Sequence, residues 1–234
     1  MSLPDQDHAL DAAGAVPAPQ VVSRPGQLYR TLRDRIITGV YAQGERLPEQ
    51  RLATDLDVSR IPLREALPRL ESDGLITTLP RRSAVVTTWT TDAVHHLFDA
   101  RLAIEVAAAG HAARIARRDG TLELVERALL ASEEQTRLSN ELGFADANAD
   151  FHAALVEASG NPILSALMRG LTSRMAWLFL LTAQRDHETA CREHREIVET
   201  VRSGNERLAE ATTYTHIEAG REPSITSLRD RLGS

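Results

Sequence analysis

The sequence predicts a mostly α-helical protein of two domains: a small N-terminal domain of three helices and a β-hairpin, then an antiparallel bundle of six to seven helices. Three observations support this prediction. Apolar residues recur at intervals of three or four through most of the chain, which is the spacing of one helix face. Strand-like segments are confined to residues 75–88. The 234 residues are enough for two domains, each with its own buried core.

The composition favours a soluble cytoplasmic protein. No apolar run approaches the roughly 18 residues of a membrane span, and no basic stretch followed by an apolar one opens the chain. The single cysteine, Cys191, excludes an internal disulfide and a multi-cysteine zinc site. Residues 24–89 hold 11 arginines and 8 acidic residues, a net +3 in a chain of net −6, so the remainder carries −9. A basic head on an acidic body is typical of a protein whose head alone meets phosphate.

The first 89 residues divide into a leader and a small domain. Residues 1–22 are rich in Ala, Pro and Gly without helical periodicity, so we expect a disordered leader before a domain over 23–89. Ser59 is a good N-cap for one helix of this domain, and Gly74 is a good end for it. The predicted elements are helices over 27–39, 49–56 and 59–72, and strands over 75–79 and 84–88. Three helices followed by a hairpin are the order of a winged helix-turn-helix.

The third predicted helix and the tip of the hairpin carry the residues that point to DNA. Arg60 and Arg64 are four residues apart and share one helix face, and an arginine fork pairs bidentately with guanine in the major groove. Ser59 and the free amides of the helix N-terminus can hold a phosphate. Arg81 and Arg82 lie at the predicted tip, from which a wing reaches the neighbouring groove or backbone. The alternative for each arginine is a solvated face paired with nearby acidic residues.

Short segments spread over residues 26–88 form a specific pattern. They are Leu47–Glu49, Leu52–Ala53, Val58–Arg60, Pro62–Leu67, Arg69–Glu71, Gly74–Leu75 and Pro80–Arg82. This pattern resembles the GntR family of bacterial regulators. We expect such a regulator to be a homodimer whose two heads bind a roughly palindromic double-stranded operator DNA. Gln50 replaces the usual arginine of the second helix, where Arg51 is the candidate contact, and Ser83 replaces the usual wing glycine.

Beyond Trp89 the strand signals end, and helical spacing continues over residues 90–220. Six helices are predicted, over 91–117, 121–142, 145–158, 163–184, 188–203 and 206–219. The segment Gly160–Pro162 marks one boundary, because glycine ends a helix, asparagine caps the next and proline suits its first position. Six helices with short connections make an antiparallel bundle. We expect residues 221–234 to be a tail.

Several polar residues of the bundle form a second pattern. They are Arg101 with Glu105, Asn148 with Asp150 and His152, Ser159–Pro162, Glu193–Arg195 and His216. The pattern resembles the FCD effector domain of the FadR-type branch of the GntR family. In that branch an Asp or Asn and three His from three helices bind a divalent metal. The resemblance carries those roles onto Asn148, His152, His194 and His216, and imidazole ligands suit zinc, nickel or a similar ion.

The spacing of these residues supports a joint site without the resemblance. Asn148 and His152 are four residues apart and share a helix face, whereas Asp150 is rotated away from His152. An asparagine ligand brings no negative charge, so an anionic ligand is favoured to complete the shell of the ion. The resemblance also carries Arg101 over as a pocket residue, and there it is the predicted clamp for the carboxylate of such a ligand. The alternatives are a salt bridge from Arg101 to Glu105 and three unrelated, partly buried histidines.

The predicted function is that of a transcriptional repressor whose helical domain binds a small organic acid near a divalent metal, with a resulting change in operator affinity. Two alternatives stay open. In a metal-responsive regulator, the ion itself is the signal. In a metallohydrolase, the histidines activate water. The sequence disfavours the hydrolase because it has no His-Glu-x-x-His motif, and because we expect no carboxylate beside the histidines as a general base.

Overall fold

The computed structural model describes residues 24–79, 83–119, 122–182 and 186–232. The expected leader over 1–22 and the predicted wing-tip residues Arg81 and Arg82 lie outside the described residues. Within the described part, the chain is mostly helical and consists of a three-helix head followed by a helical bundle. This architecture confirms the predicted fold class.

The head combines three helices with a small sheet. Its elements are α1 (Arg24–Ile37), β1 (Arg46–Pro48), α2 (Glu49–Asp55), α3 (Arg60–Ser72), β2 (Ile76–Leu79) and β3 (Ser83–Val86). The strands are antiparallel, and β3 lies between β1 and β2. The sequence predicts β2 and β3 but not β1, because three residues are too few to show an alternating pattern. Leu47 of β1 pairs with Ala84 of β3, and both are buried, so β1 closes the sheet over the core of the head.

The core of the head is built from the apolar faces of its helices. Leu32 of α1, Leu52 of α2, and Leu63 and Leu70 of α3 are at most 1% exposed. Each such burial contributes about 1.5–3 kcal/mol to folding. Gly74 ends α3 with φ +68°, in the left-handed region that glycine adopts without strain. These contacts hold one face of α3 in the core and leave the opposite face in solvent.

The bundle begins with one long helix. Its halves, α4 (Thr91–Arg101) and α5 (Ala107–Asp119), are joined by a π-helical turn over Leu102–Val106. The other bundle helices are α6 (Glu123–Arg137), α7 (Glu141–Glu157), α8 (Pro162–Leu181), α9 (His187–Arg202) and α10 (Glu206–Leu232). With α4 and α5 counted as one, the described residues form the six bundle helices that the sequence predicts. Single π turns often occur at functional sites, and this one contains the buried Glu105.

One boundary inside the bundle differs from the prediction. The second bundle helix was expected to reach residue 142, but α6 ends at Arg137. Ser139 has φ +53°, which a continuing helix cannot accommodate. Asn140 then caps α7, because its side chain accepts a hydrogen bond from the amide of Gly143 at 3.1 Å.

The C-terminal boundary also differs, and the predicted tail over 221–234 is wrong. Helix α10 continues to Leu232, through the proline at position 223. Ile225 and Leu228 on this extension are 0% and 1% exposed. Their burial against the rest of the bundle stabilises helical turns that the local sequence disfavours.

Helix α8 makes several of the contacts between the bundle and the head, and Asp146 of α7 adds an ion pair with Arg33 of α1. Ser173 Oγ lies 3.1 Å from Tyr29 Oη on α1, and the guanidinium of Arg174 donates to the carbonyl oxygen of Gly74 at 3.2 Å. Trp177 and Trp89 meet edge to face, with ring centroids 5.8 Å apart. One bundle helix therefore contacts α1, the end of α3 and the segment that follows the sheet.

Candidate effector site and nucleic-acid interface

Three bundle helices bring three of the predicted metal ligands into one buried cluster. His152 of α7, His194 of α9 and His216 of α10 are 1%, 0% and 6% exposed. A ring nitrogen of each lies within 4.8 Å of a ring nitrogen of the other two. His194 also stacks on Phe151, with ring centroids 3.9 Å apart. The histidines are therefore neighbours in the fold and not the unrelated residues of the alternative interpretation.

Asn148 lies one helical turn before His152 on α7 and is 8% exposed. Its Oδ1 has no hydrogen-bond partner among the described residues. A buried polar atom left without a partner costs about 1–3 kcal/mol, so this position fits a bound group. Three imidazole nitrogens and one amide oxygen are a donor set that suits a divalent ion such as zinc or nickel. Asp150 lines a different groove, between α6 and α7.

A buried carboxylate orients the ring of His152. Glu105 Oε2 lies 2.7 Å from His152 Nδ1. This short ionic contact favours the form of His152 that has its proton on Nδ1, which leaves the lone pair of Nε2 to accept from Nη2 of Arg101 at 3.0 Å. Burial raises the pKa of Glu105, but the charges of Arg101 and His152 outweigh it and lower that pKa to about 2. Burial lowers the pKa of His152 to about 4, so the ring is neutral at pH 7, as a metal ligand must be.

A second carboxylate, that of Glu193, contacts Nδ1 of His216. Glu193 Oε2 lies 2.7 Å from His216 Nδ1, which again leaves Nε2 with its lone pair. The sequence predicts no carboxylate placed beside the histidines as a general base. Two carboxylates do lie there, but Glu105 is paired with Arg101 and Glu193 with His216. The sequence pattern alone does not predict that Glu105 and Glu193 contact the histidine rings. Their positions in the sequence do offer a clue, because Glu105 follows Arg101 by one helical turn and Glu193 is adjacent to His194.

The cluster borders a cavity of about 530 Å³. Its wall combines aromatic rings with a few polar groups: Phe98, Phe144, Phe179, Arg101, Asn148, Thr182 and His216. Residues of α10 between Gly220 and Thr226 also line it, so the segment predicted to be a tail completes the cavity. Small-molecule sites are typically about 300–1,000 Å³, mostly apolar and equipped with a few convergent polar groups. The cavity meets these criteria.

Arg101 lies in the cavity wall, but its guanidinium already has partners. It is 3% exposed, and its Nε donates to Glu105 Oε1 at 2.8 Å. Its Nη2 lies 3.0 Å from Nε2 of His152. The salt bridge to Glu105 is the alternative that the sequence leaves open for Arg101, and it is present. An acid entering the cavity would therefore meet an arginine whose charge Glu105 balances and whose remaining N–H donors can still bind it.

In the head, α3 presents its first arginines to solvent. Arg60 and Arg64 are both exposed. Arg60 donates to the amide oxygen of Gln50, and Arg64 Nε lies 3.5 Å from a carboxylate oxygen of Glu49. Ser59 is the N-cap residue, and its side chain makes no capping hydrogen bond within the described residues. The N-terminal turn of α3 is therefore exposed and can enter a groove of double-stranded DNA.

Arg51 of α2 has stronger internal partners than the arginines of α3. Its Nη1 lies 2.6 Å from a carboxylate oxygen of Glu45, and its Nε lies 3.4 Å from Asp55. These acidic groups compete with a phosphate for its charge.

Two family profiles match most of the chain. Residues 25–86, which form the head, match the profile described as bacterial regulatory proteins, gntR family. Residues 96–219, which form most of the bundle, match the FCD domain. Among the described helices, none has both the length and the apolar character needed to cross a membrane.

The chain is also similar to individual regulators along most of its length. It is 30% identical over 198 residues to the HTH-type transcriptional regulator YdhC of Bacillus subtilis. The matched region covers 81% of this chain and 86% of that protein. It is 27% identical over 205 residues to the HTH-type transcriptional repressor NanR of Escherichia coli, with 76% of each chain covered. A solved GntR regulator from a Rhodococcus species has a TM-score of 0.72 and 26% identity, with 87% of this chain and 98% of that chain covered.

The matched families and relatives are transcriptional regulators and not enzymes, so the hydrolase alternative is set aside. The exposed N-terminal turn of α3 agrees with a head that binds DNA. The chain belongs to the GntR family of bacterial transcriptional regulators, with an FCD domain following its DNA-binding head.

Proposed function

We propose that this regulator is a homodimeric repressor whose bundle holds a divalent metal and binds a small organic acid beside it. Binding of the acid changes how the two heads engage a palindromic operator. The observation that carries the proposal is the buried cluster of three histidines next to a cavity of about 530 Å³ with Arg101 in its wall. The relative NanR is named as a repressor, which supports repression as the mode of action.

The proposed metal ligands are Asn148, His152, His194 and His216. Two features favour this set. The buried Oδ1 of Asn148 has no partner among the described residues. The carboxylates of Glu105 and Glu193 lie 2.7 Å from Nδ1 of His152 and of His216 and favour the proton there, which leaves Nε2 of each ring a lone pair for a metal. A bound ion would replace the contact of His152 Nε2 with Arg101. When bound, an ion supplies a fixed positive charge and a coordination position for a ligand in the cavity.

Charge balance favours an acid as the effector. The four proposed ligands are neutral, and Glu105 already neutralises Arg101. Glu193 and the cavity-lining Glu222 have side chains 24% and 73% exposed, so water screens both. The charge of a divalent ion is then only partly compensated. A carboxylate in the cavity completes the balance and can accept hydrogen bonds from the remaining donors of Arg101.

Helix α8 offers a physical connection between the effector site and the head. Phe179 and Thr182, near its C-terminal end, line the cavity. Ser173 and Arg174, two turns earlier on the same helix, contact Tyr29 and Gly74 of the head. A helix moves as a stiff unit, so a shift at the cavity is transmitted to the head. A coupling free energy of about 1–3 kcal/mol is typical of such regulation.

The proposed DNA contacts lie on α3 and on the wing. Arg60 and Arg64 are assigned to base edges, Ser59 and Arg51 to phosphates, and Arg81 and Arg82 to the groove beside the wing. Two heads are required for specificity because each reads only one half-site of the operator. Binding weakens with rising salt, because arginine contacts with phosphate displace counterions. Light scattering of the free protein and of its operator complex tests the homodimer directly.

Thermal-shift measurements with the metal-stripped protein test the proposal. We expect Zn²⁺ or Ni²⁺ to raise the melting temperature by about 5–10 °C, since a ligand at a hundredfold its Kd adds about 2.7 kcal/mol. A panel of small carboxylic acids is then screened on the metal-loaded protein. The double variant Arg101→Met/Glu105→Gln keeps the buried charge neutral, removes the guanidinium and retains an acceptor oxygen at position 105 beside His152. It should therefore bind metal but lose the shift from acids.

The same screen separates the metal-responsive alternative from the acid sensor. The three-histidine cluster supports both functions. Operator affinity is measured by fluorescence anisotropy with metal alone and with metal plus each acid that shifts the melting temperature. If metal alone changes operator affinity and no bound acid changes it further, the ion is the signal. If the stripped protein shows no shift with either ion, the proposal of a metal site is wrong.

A further inference from the structure

Ile61, the second residue of α3, is unusually exposed for a large apolar side chain. It is 70% exposed, the largest value among the large hydrophobic side chains of the described residues. Isolated apolar side chains on a protein surface are common and need no special explanation. The position of Ile61 on α3 is what distinguishes it.

Helical geometry places Ile61 opposite the core of the head. Leu70 is 1% exposed and lies nine residues after Ile61, which is two and a half turns at about 3.6 residues per turn. The two side chains therefore point in opposite directions. Leu63 and Ala66, both 0% exposed, belong to the same buried side as Leu70. Ile61 thus lies near the centre of the outward-facing surface of α3.

The two arginines proposed to read DNA lie on one side of Ile61, about 100° and 60° from it around the helix axis. Arg60 precedes Ile61, and Arg64 follows it by three residues and is its neighbour on the helix surface. The contacts of Arg60 with Gln50 and of Arg64 with Glu49 direct both guanidinium groups toward the start of α2. Ile61 presents its apolar side chain beside this pair, at the N-terminal turn that a recognition helix inserts into the major groove.

One base-pair feature in the major groove is complementary to such a side chain. Each base edge presents hydrogen-bond donors and acceptors, and the thymine C5-methyl is the apolar group among them. We propose that Ile61 contacts the methyl group of a thymine and so requires an A·T pair beside the bases that Arg60 and Arg64 read. This inference rests on the DNA-binding function of the head, and it is independent of the proposed metal and acid.

The size of the effect follows from the chemistry of one methyl group. Removing a buried methylene-sized group from an apolar contact weakens binding about fourfold. We therefore expect a preference for thymine over deoxyuridine of about fourfold in each half-site. Deoxyuridine differs from thymine by the C5-methyl alone, so the comparison leaves every hydrogen bond of the base pair in place.

The experiment begins with selection of duplexes from a random-sequence DNA library by the full-length wild-type protein. Each thymine of the enriched duplex is then replaced in turn by deoxyuridine, and affinity is measured by fluorescence anisotropy at fixed salt. The same duplexes are measured with Ile61→Ser. Ile163→Ser is the matched control, because Ile163 is 68% exposed but lies on α8 of the bundle. Circular dichroism confirms that each variant is folded, as expected for exposed positions.

The inference predicts one thymine per half-site at which deoxyuridine weakens the wild type and Ile163→Ser by about fourfold and leaves Ile61→Ser unchanged. If the wild type tolerates deoxyuridine at every thymine, or if Ile61→Ser keeps the penalty, the inference is overturned. If the wild type enriches no sequence at all, the proposed operator binding fails together with the inference.

Discussion

The head and the bundle use arginine in opposite ways. On α3, Arg60 and Arg64 are exposed and contact Gln50 and Glu49 of α2. In the bundle, Arg101 is 3% exposed and is bound to Glu105 and His152. An exposed ion pair contributes only about 0–1 kcal/mol, whereas breaking a buried pair costs about 3–5 kcal/mol. Arg60 and Arg64 of α3 are therefore available for recognition, whereas Arg101 is part of the internal structure of the effector site.

The largest expected effect comes from breaking the buried pair. Glu105→Gln leaves the charge of Arg101 uncompensated, and we expect the free energy of unfolding of the metal-free protein to fall by about 3–5 kcal/mol. Glu134→Gln is the matched control, because it breaks an exposed pair with Arg137 and should cost less than about 1 kcal/mol. Chemical denaturation measures both. Equal losses in the two variants would show that burial does not distinguish the two pairs.

The arginines of α3 should show the reverse pattern. Arg60→Gln and Arg64→Gln should each weaken operator binding by about 1–3 kcal/mol and change the free energy of unfolding by less than about 0.5 kcal/mol. Arg127→Gln on α6, with a side chain 61% exposed, is the control for loss of a surface charge far from the head. Fluorescence anisotropy at fixed salt measures the affinity. Operator affinity that survives both α3 substitutions would contradict the assignment of α3 as the DNA reader.

The junction between the two regions should show an intermediate effect. Arg174→Ala removes the hydrogen bonds from α8 to the carbonyl oxygen of Gly74, with an expected cost of about 1.5 kcal/mol. We expect the variant to bind effectors normally, as judged by thermal shift, and to lose part of their influence on operator affinity. Arg169→Ala, at an exposed position on the same helix, is the control. An unchanged effector response in Arg174→Ala would place the coupling elsewhere.

The smallest expected effect concerns the ionisation of Tyr29, where the head meets α8, because it changes the free energy of unfolding only at alkaline pH. Burial and the hydrogen bond to Asp73 raise the pKa of Tyr29 to about 12. Since this exceeds the unfolded value of about 10, its contribution to stability is complete below pH 10 and is lost as the pH rises from 10 to 12. The free energy of unfolding should fall more steeply over that interval in the wild type than in Tyr29→Phe. Parallel curves would show that Tyr29 ionises freely.

Local sequence patterns predicted most of the helices because helical spacing and capping are local properties. Gly160–Pro162 separates α7 from α8 as expected, with Asn161 capping α8. The predictions were wrong where longer-range packing decides. The sequence around Pro223 suggests a helix end, yet the burial of Ile225 and Leu228 continues α10 to Leu232. Strand β1 forms because Leu47 pairs with Ala84, far away in the sequence.

In the candidate site, too, some features follow from the sequence pattern and others depend on tertiary packing. Resemblance and spacing named the histidines that the fold brings together. The cavity was not predictable, because Phe98, Phe144 and Phe179 come from three different helices and meet only in the folded bundle. The roles of Glu105 and Glu193 depend on which nitrogen of each histidine they contact, and that orientation is set by tertiary packing.

Isothermal titration of Zn²⁺ into the metal-stripped protein tests the central claim most directly. The proposal predicts one ion bound per chain in the wild type and loss of this binding in His194→Ala. His187→Ala should bind normally, because His187 lines the cavity and stacks on Phe144 but lies outside the histidine cluster. A wild type that takes up no zinc, or a His194→Ala variant that binds it as tightly as the wild type, would contradict the account.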